Sequence, residues 1–142
     1  MKYFICLISL LISAYACSYS AKLNNIAQLQ WQNRVLILWS TTPKRDLEQL
    51  LKTYQAEITD RQLIILVMNQ EALMVSNYHG QLTVSLAEHI RVKFPQAKGQ
   101  FFLIGKDGGL KDYGQKLHMT AIFSTIDQMP MRKQEQLRTT SP

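Results

Sequence analysis

The chain reads as an α/β domain of order β-α-β-α-β-β-α, with a central mixed sheet flanked by helices. Three observations predict this. Two continuous apolar runs, at 35–39 and 63–68, are separated by a helical stripe. Strands that are apolar on both faces belong in the middle of a helix-covered sheet, and strands linked by helices become parallel neighbours. A third apolar run, Phe101 to Ile104, stops at a glycine-rich turn and resumes at Leu110. That is a β-hairpin signal, and it adds an antiparallel strand.

Each element has a local reason. After the first strand, Ser40-Thr41-Thr42-Pro43 opens a helix, with Thr42 as the expected N-cap and Pro43 at the first helical position. Asp46 and Glu48 then suit the helix dipole. Leu47, Leu50, Leu51, Tyr54 and Ile58 form one apolar face at helical spacing. Asp60-Arg61 turns the chain into the second strand. Residues 69–81 read as a loop with a short helical turn. Leu82, Leu86, Ile90 and Phe94 recur every fourth residue, so a helix is expected over 82–94, ended by Pro95 and Gly99. At the hairpin, Asp107-Gly108 with Gly109 supplies residues that tolerate positive φ. Ile122, Phe123, Ile126 and Met129 mark the last helix. Pro130 lacks the N–H that would bond Ile126, so that helix kinks or restarts there. Asp127 is placed to cap the restart or to pair with Arg132.

The N-terminus has the composition of a secretory signal: Lys2, an apolar stretch from Tyr3 to Ile12, then small residues at Ala14 and Ala16. The expected organisation is a signal peptide at 1–16, a polar lead-in at 17–28 and one domain at 29–138, within which Leu29 and Trp31 pack on the domain edge. Simple export to the periplasm or cell envelope, or secretion, is favoured. Lipidation at Cys17 is the alternative, and would tether the chain to a membrane. Without residues 1–16 the charge falls from +6 to +5, because Lys2 leaves with them. The basic residues are scattered, as Lys44-Arg45, Arg91, Lys93, Lys106, Lys111 and Arg132-Lys133, so they read as a solvated surface, with an anionic partner such as lipid headgroups or polysaccharide as the alternative. Nothing in their pattern points to nucleic acid. The two cysteines are Cys6 and Cys17, so the domain has no CxxC pair and no internal disulfide.

Chemistry is sparse. Ser40, Thr41, Thr42 and Pro43 occupy a strand-to-helix turn, where a helix N-terminus can activate a thiol. Here no thiol is present, and Ser40 has no nearby histidine in sequence to act as its base. The segment reads as a helix cap, with anion or ligand binding at the helix end as the alternative. Gly105-Lys106-Asp107-Gly108-Gly109 departs from a phosphate loop. Gln100 stands where the leading glycine belongs, and Asp107 where Ser or Thr belongs. His79, His89 and His118 share no metal-ligand spacing, so no metal and no cofactor is expected. His89 flanks the core. Asp127, Met129, Pro130, Met131 and Arg132 form a second distinctive string, structural on the simplest reading and a methionine docking surface on the other.

Together, QWxxRVLIL at 30–38, Asp60-Arg61, FLIGKDGGLK at 102–111 and IDQMPMRKQE at 126–135 resemble a thioredoxin-like family of unknown function. It is found as short exported bacterial proteins. It is also similar to the peroxiredoxin-like C-terminal domain of animal sushi-repeat-containing extracellular proteins. The resemblance runs from about residue 29 to 135. It implies a thioredoxin-like fold and an extracytoplasmic setting, and little chemistry. In redox members of that superfamily the turn holds two cysteines, where this chain has Ser40 and Pro43. They also carry a proline directly before the third strand, where this chain has Gln100. The expected role is a non-catalytic binding or accessory protein acting on an envelope protein or ligand. The alternative is a thiol-dependent oxidoreductase or peroxiredoxin-like enzyme using Cys17 or a partner's thiol.

Overall fold

A computed structural model of the chain describes residues 21–140. The expected signal segment and Cys17 lie outside the described residues. The elements are β1 (Lys22–Leu23), a 3-10 turn (Ile26–Leu29), β2 (Arg34–Trp39), α1 (Lys44–Thr53), α2 (Gln55–Asp60), β3 (Leu63–Met68) and β4 (Leu73–Ser76), then β5 (Gln81–Leu82), α3 (Val84–Lys93), β6 (Phe101–Ile104), β7 (Leu110–Gly114), α4 (Met119–Asp127) and α5 (Pro130–Thr140). The architecture is mixed α/β. A five-stranded sheet has the order β4-β3-β2-β6-β7, and β1 with β5 makes a separate two-stranded ladder. β2 and β3 are parallel; β6 runs antiparallel to β2, and β7 antiparallel to β6.

Alternation along each central strand divides the core in two. Val35, Ile37 and Trp39 join Leu66, Met68, Phe102 and Ile104 beneath α3 and the 3-10 turn. Leu36 and Leu38 join Leu63, Ile65, Val67, Phe101 and Leu103 against α1, α2 and α4. Both faces of β2 are buried, which is why its sequence is an unbroken apolar run. Trp39 is buried with its indole N–H satisfied, 2.8 Å from the carbonyl of Phe94.

Several expectations need correction. Residues 69–81 are not a loop with a helical turn: β4 lies there, antiparallel to β3 at the sheet edge, and is followed by the start of β5. The helix expected over 82–94 begins only at Val84, because Thr83 is its N-cap and its hydroxyl accepts the Leu86 N–H. The stripe from Leu47 to Ile58 spans two helices, broken at Tyr54 (φ −104°, ψ 18°). Within the lead-in, Leu23 and Ile26 are buried, so residues from 22 onward belong to the domain. Leu29 packs as expected, but Trp31 is 62% exposed. Pro130 begins a new helix, as its missing N–H requires.

Candidate functional site

The two ends of β2 carry different chemistry. At its C-terminal end lies the Ser40–Pro43 turn. The Ser40 N–H donates to the carbonyl of Met68 at 2.9 Å. The Ser40 hydroxyl accepts the Thr42 N–H at 3.0 Å. Thr42 is not the cap: α1 starts at Lys44, Pro43 is its N-cap residue, and no side chain caps it. Ser40 therefore stands four residues before the helix, and a dipole acts only over a helix's first turn. Nothing in this geometry activates the hydroxyl. Beyond the turn, a groove of about 650 Å³ runs between α1–α2 and β4, lined by Lys44, Glu48, Lys52, Met74, Ser76 and His79 among others.

The N-terminal end of β2 gathers charged residues from four stretches of the sequence: Arg34, Asp60-Arg61, Lys106, and Asp127, Arg132 and Glu135. Because β3 is parallel to β2 and β6 antiparallel, Arg34, the α2–β3 turn and the β6–β7 hairpin meet at one end. That end is about 20 Å from the Ser40 turn, at strand rise over six residues. Among the described residues, Arg34, Lys106 and Arg132 are the buried charged side chains, at 1%, 8% and 6% exposure. Scattered lysines and arginines read as solvated; for Lys106 and Arg132 that expectation fails, because each has a carboxylate partner on a distant segment.

The contacts form one network. Arg34 reaches Glu135 through both terminal nitrogens, at 3.2 and 3.3 Å, and donates to the carbonyl of Arg61 at 2.9 Å. Lys106 Nζ donates to Glu135 Oε1 at 2.7 Å and to the Gln62 side-chain oxygen. Arg61 grips Asp127 with two nitrogens, at 2.6 and 3.0 Å, and lies over the Phe123 ring. Arg132 bonds Asp127 at 3.3 Å, the Asp60 carbonyl at 2.8 Å and the Asp60 carboxylate. Asp127 thus pairs with Arg132 rather than capping α5, and Arg61 is its second partner. Arg34 Nε is buried with no hydrogen-bond partner among the described residues.

Electrostatics follow from these contacts. Burial would raise the Glu135 pKa, but hydrogen bonds from Lys106 and Arg34, and their charges, hold it below the usual carboxylate range. Asp127 is likewise lowered: burial opposes the shift, and the hydrogen bonds and charges of Arg61 and Arg132 prevail. In the hairpin tip, Asp107 is lowered chiefly by its hydrogen bond from Lys111, at 2.6 Å.

The hairpin places the remaining motif glycines. The Gly108 N–H donates to the Gly105 carbonyl at 3.0 Å, and the Gly105 N–H to the Gly109 carbonyl at 2.9 Å. Gly108 takes φ +78°, and of the expected Asp107-Gly108-Gly109 segment it alone is left-handed. Among the described residues two non-glycines are left-handed, Trp31 (φ 66°) and Gln62 (φ 48°), and both touch Lys106. The Trp31 N–H donates to its carbonyl at 2.7 Å. Such strained residues persist only where their surroundings over-determine them.

The other sequence candidates stay apart. His79 and His118 are exposed, and His89 is half-buried with its Nε2 unpartnered and its pKa lowered by burial and then by Lys93. Among the described residues no group of three or more His, Cys, Asp or Glu is placed to hold a metal, and no helix is long and apolar enough to cross a membrane. Met129 packs against the core and Met131 is half-buried, so the pair does not form an exposed methionine surface. Arg34 and Glu135 were missed as partners by the sequence reading. Their only signal was membership of the QWxxRVLIL and MPMRKQE strings.

Fold and network define a mixed α/β domain whose C-terminal helix is tied to one end of its sheet by ion pairs between buried cations and partly exposed carboxylates. Residues 25–135 match the family described as "Domain of unknown function (DUF4174)", and the chain belongs to that family. The matched span includes the whole network, from Arg34 to Glu135. No curated protein matches the chain, and no solved structure does.

Proposed function

We propose that this is an exported, thioredoxin-like domain without redox cysteines, acting as a non-catalytic binding or accessory protein of the cell envelope. The parallel β2–β3 pair, with β6 and β7 added antiparallel on the other side of β2, supports the thioredoxin-like reading. So does the resemblance of its motifs to the peroxiredoxin-like domain of sushi-repeat-containing proteins. The export reading rests on the composition of residues 1–16. Its partner is an envelope protein or ligand, with membrane tethering if Cys17 is lipidated.

The observation that carries the non-catalytic reading is the Ser40 turn. Its hydroxyl is occupied by the Thr42 N–H, it precedes the helix by four residues, and Pro43 stands where a second thiol would be. A nucleophilic serine needs a general base within hydrogen-bond reach, and among the described residues none bonds Ser40. The test is labelling of the native protein with a serine-directed fluorophosphonate, read by peptide mass spectrometry. No adduct at Ser40 is expected; a stoichiometric adduct there would overturn the reading.

A further inference from the structure

α5 is held mainly by charged side chains. Arg132 is its one buried residue over 130–139, while Leu137 is exposed and Met131 half-buried. Met129, which does pack on the core, precedes the helix. The helix thus docks chiefly through Arg132 and Glu135, three residues apart on one face, rather than through an apolar stripe. Elements with few buried apolar contacts open locally at low free energy, well below the cost of global unfolding.

Beneath it lies a built site. Arg34 presents a two-nitrogen fork and Lys106 a third donor to a single carboxylate. That is the geometry with which proteins recognise carboxylates. Both cations are held by the body of the domain: Arg34 by the Arg61 carbonyl, Lys106 by the Gln62 side chain. They therefore stay in place if α5 leaves. Arg34 Nε, buried and unpartnered, is a donor that Glu135 does not use. The two left-handed residues, Trp31 and Gln62, fix Lys106 from either side, and strain of that kind gathers at ligand clamps. With α5 lifted, the body retains Arg34, Arg61 and Lys106 against Asp60 and Asp127, three positive charges to two negative. Glu135 itself remains 24% exposed, so solvent reaches the clamp.

We infer that Arg34 and Lys106 form a carboxylate-binding clamp that Glu135 occupies in cis, and that an acidic peptide segment takes the same clamp when α5 swings away. The excess of one positive charge favours an acidic peptide over a neutral one. This names the site of the binding role proposed above, and rests on that role.

The probe is a fluorescein-labelled tetraglutamate peptide, titrated by anisotropy into the full chain and into Glu135→Gln. An intramolecular competitor acts at an effective concentration on the order of millimolar, so removing its charge should tighten binding by about tenfold or more. Adding Lys106→Met should abolish the gain. No gain, or a gain that survives Lys106→Met, overturns the inference. If Glu135→Gln does not fold, hydrogen exchange of the native chain decides. Excess tetraglutamate should accelerate exchange of the α5 amides while leaving α4 unchanged, since a ligand that binds only the open form raises its population. Unaltered α5 exchange overturns the inference. Failure here with Ser40 unlabelled by fluorophosphonate moves the binding site elsewhere, whereas labelling of Ser40 removes the binding role itself.

Discussion

Arg34 and Glu135 stand 101 residues apart in the chain and meet as a bidentate ion pair, with the arginine almost wholly buried. The pair joins the first residue of the central strand to the middle of the last helix. Lys106 of the hairpin joins them on the same carboxylate, and the turn before β3 holds both cations through the Arg61 carbonyl and Gln62.

Breaking one half of such a pair leaves the other charge uncompensated. Arg34→Met should cost about 3 kcal/mol, the lower end for a buried pair, because Glu135 keeps Lys106 and some solvent. Urea unfolding gives the number. A loss below about 1 kcal/mol would place the pair with ordinary surface bridges.

The hairpin makes an asymmetric prediction. Gly108 holds φ +78°, where a β-branched side chain is strained, so Gly108→Val should destabilise by about 1–2 kcal/mol or more. Gly109 is not left-handed, and a Cβ there would meet Asp107 Oδ1 and Lys111 Nζ at 3.4 Å, an ordinary contact. Gly109→Val should therefore cost less. Equal melting temperatures for the two variants would contradict the assigned turn.

Much of this was legible in the sequence, for identifiable reasons. β2, β3 and β6 are buried on both faces, and only an unbroken apolar run satisfies that. The α5 start was readable from Pro130, since a missing N–H is a local fact. β4 was not, because an edge strand of four residues between polar loops carries too short an alternation to distinguish from a loop. Lys106 illustrates the limit for the site. A lysine at a hairpin tip reads as solvated, and only the tertiary approach of Glu135, 29 residues on, turns it inward. Trp31 failed in the opposite direction: its apolar ring suggested packing, while its left-handed backbone serves the Lys106 carbonyl and leaves the indole in solvent.

The pH dependence follows from the lowered carboxylates. Glu135 and Asp127 bind protons less readily in the folded chain than in the unfolded one. Their contribution is thus fully present above the unfolded carboxylate value of about 4, and is lost as pH falls through the lower folded values. His89, also lowered, adds an earlier loss as pH falls below its ordinary value of about 6.5. Denaturant midpoints should fall between pH 7 and pH 3. Glu135→Gln should show a shallower fall below pH 4 than wild type, and an identical slope would contradict the network's role.

The central claim is that the domain binds rather than catalyses, and reduction of insulin disulfides by dithiothreitol tests it most directly, with hydrogen peroxide consumption as the parallel assay. Residues 17–142 and their Cys17→Ser variant are compared with a protein-free control. All three rates should coincide, because the strand-to-helix turn holds Ser40 and Pro43 and no thiol. A protein-dependent rate that disappears in Cys17→Ser would contradict the account and make the chain a thiol-dependent enzyme.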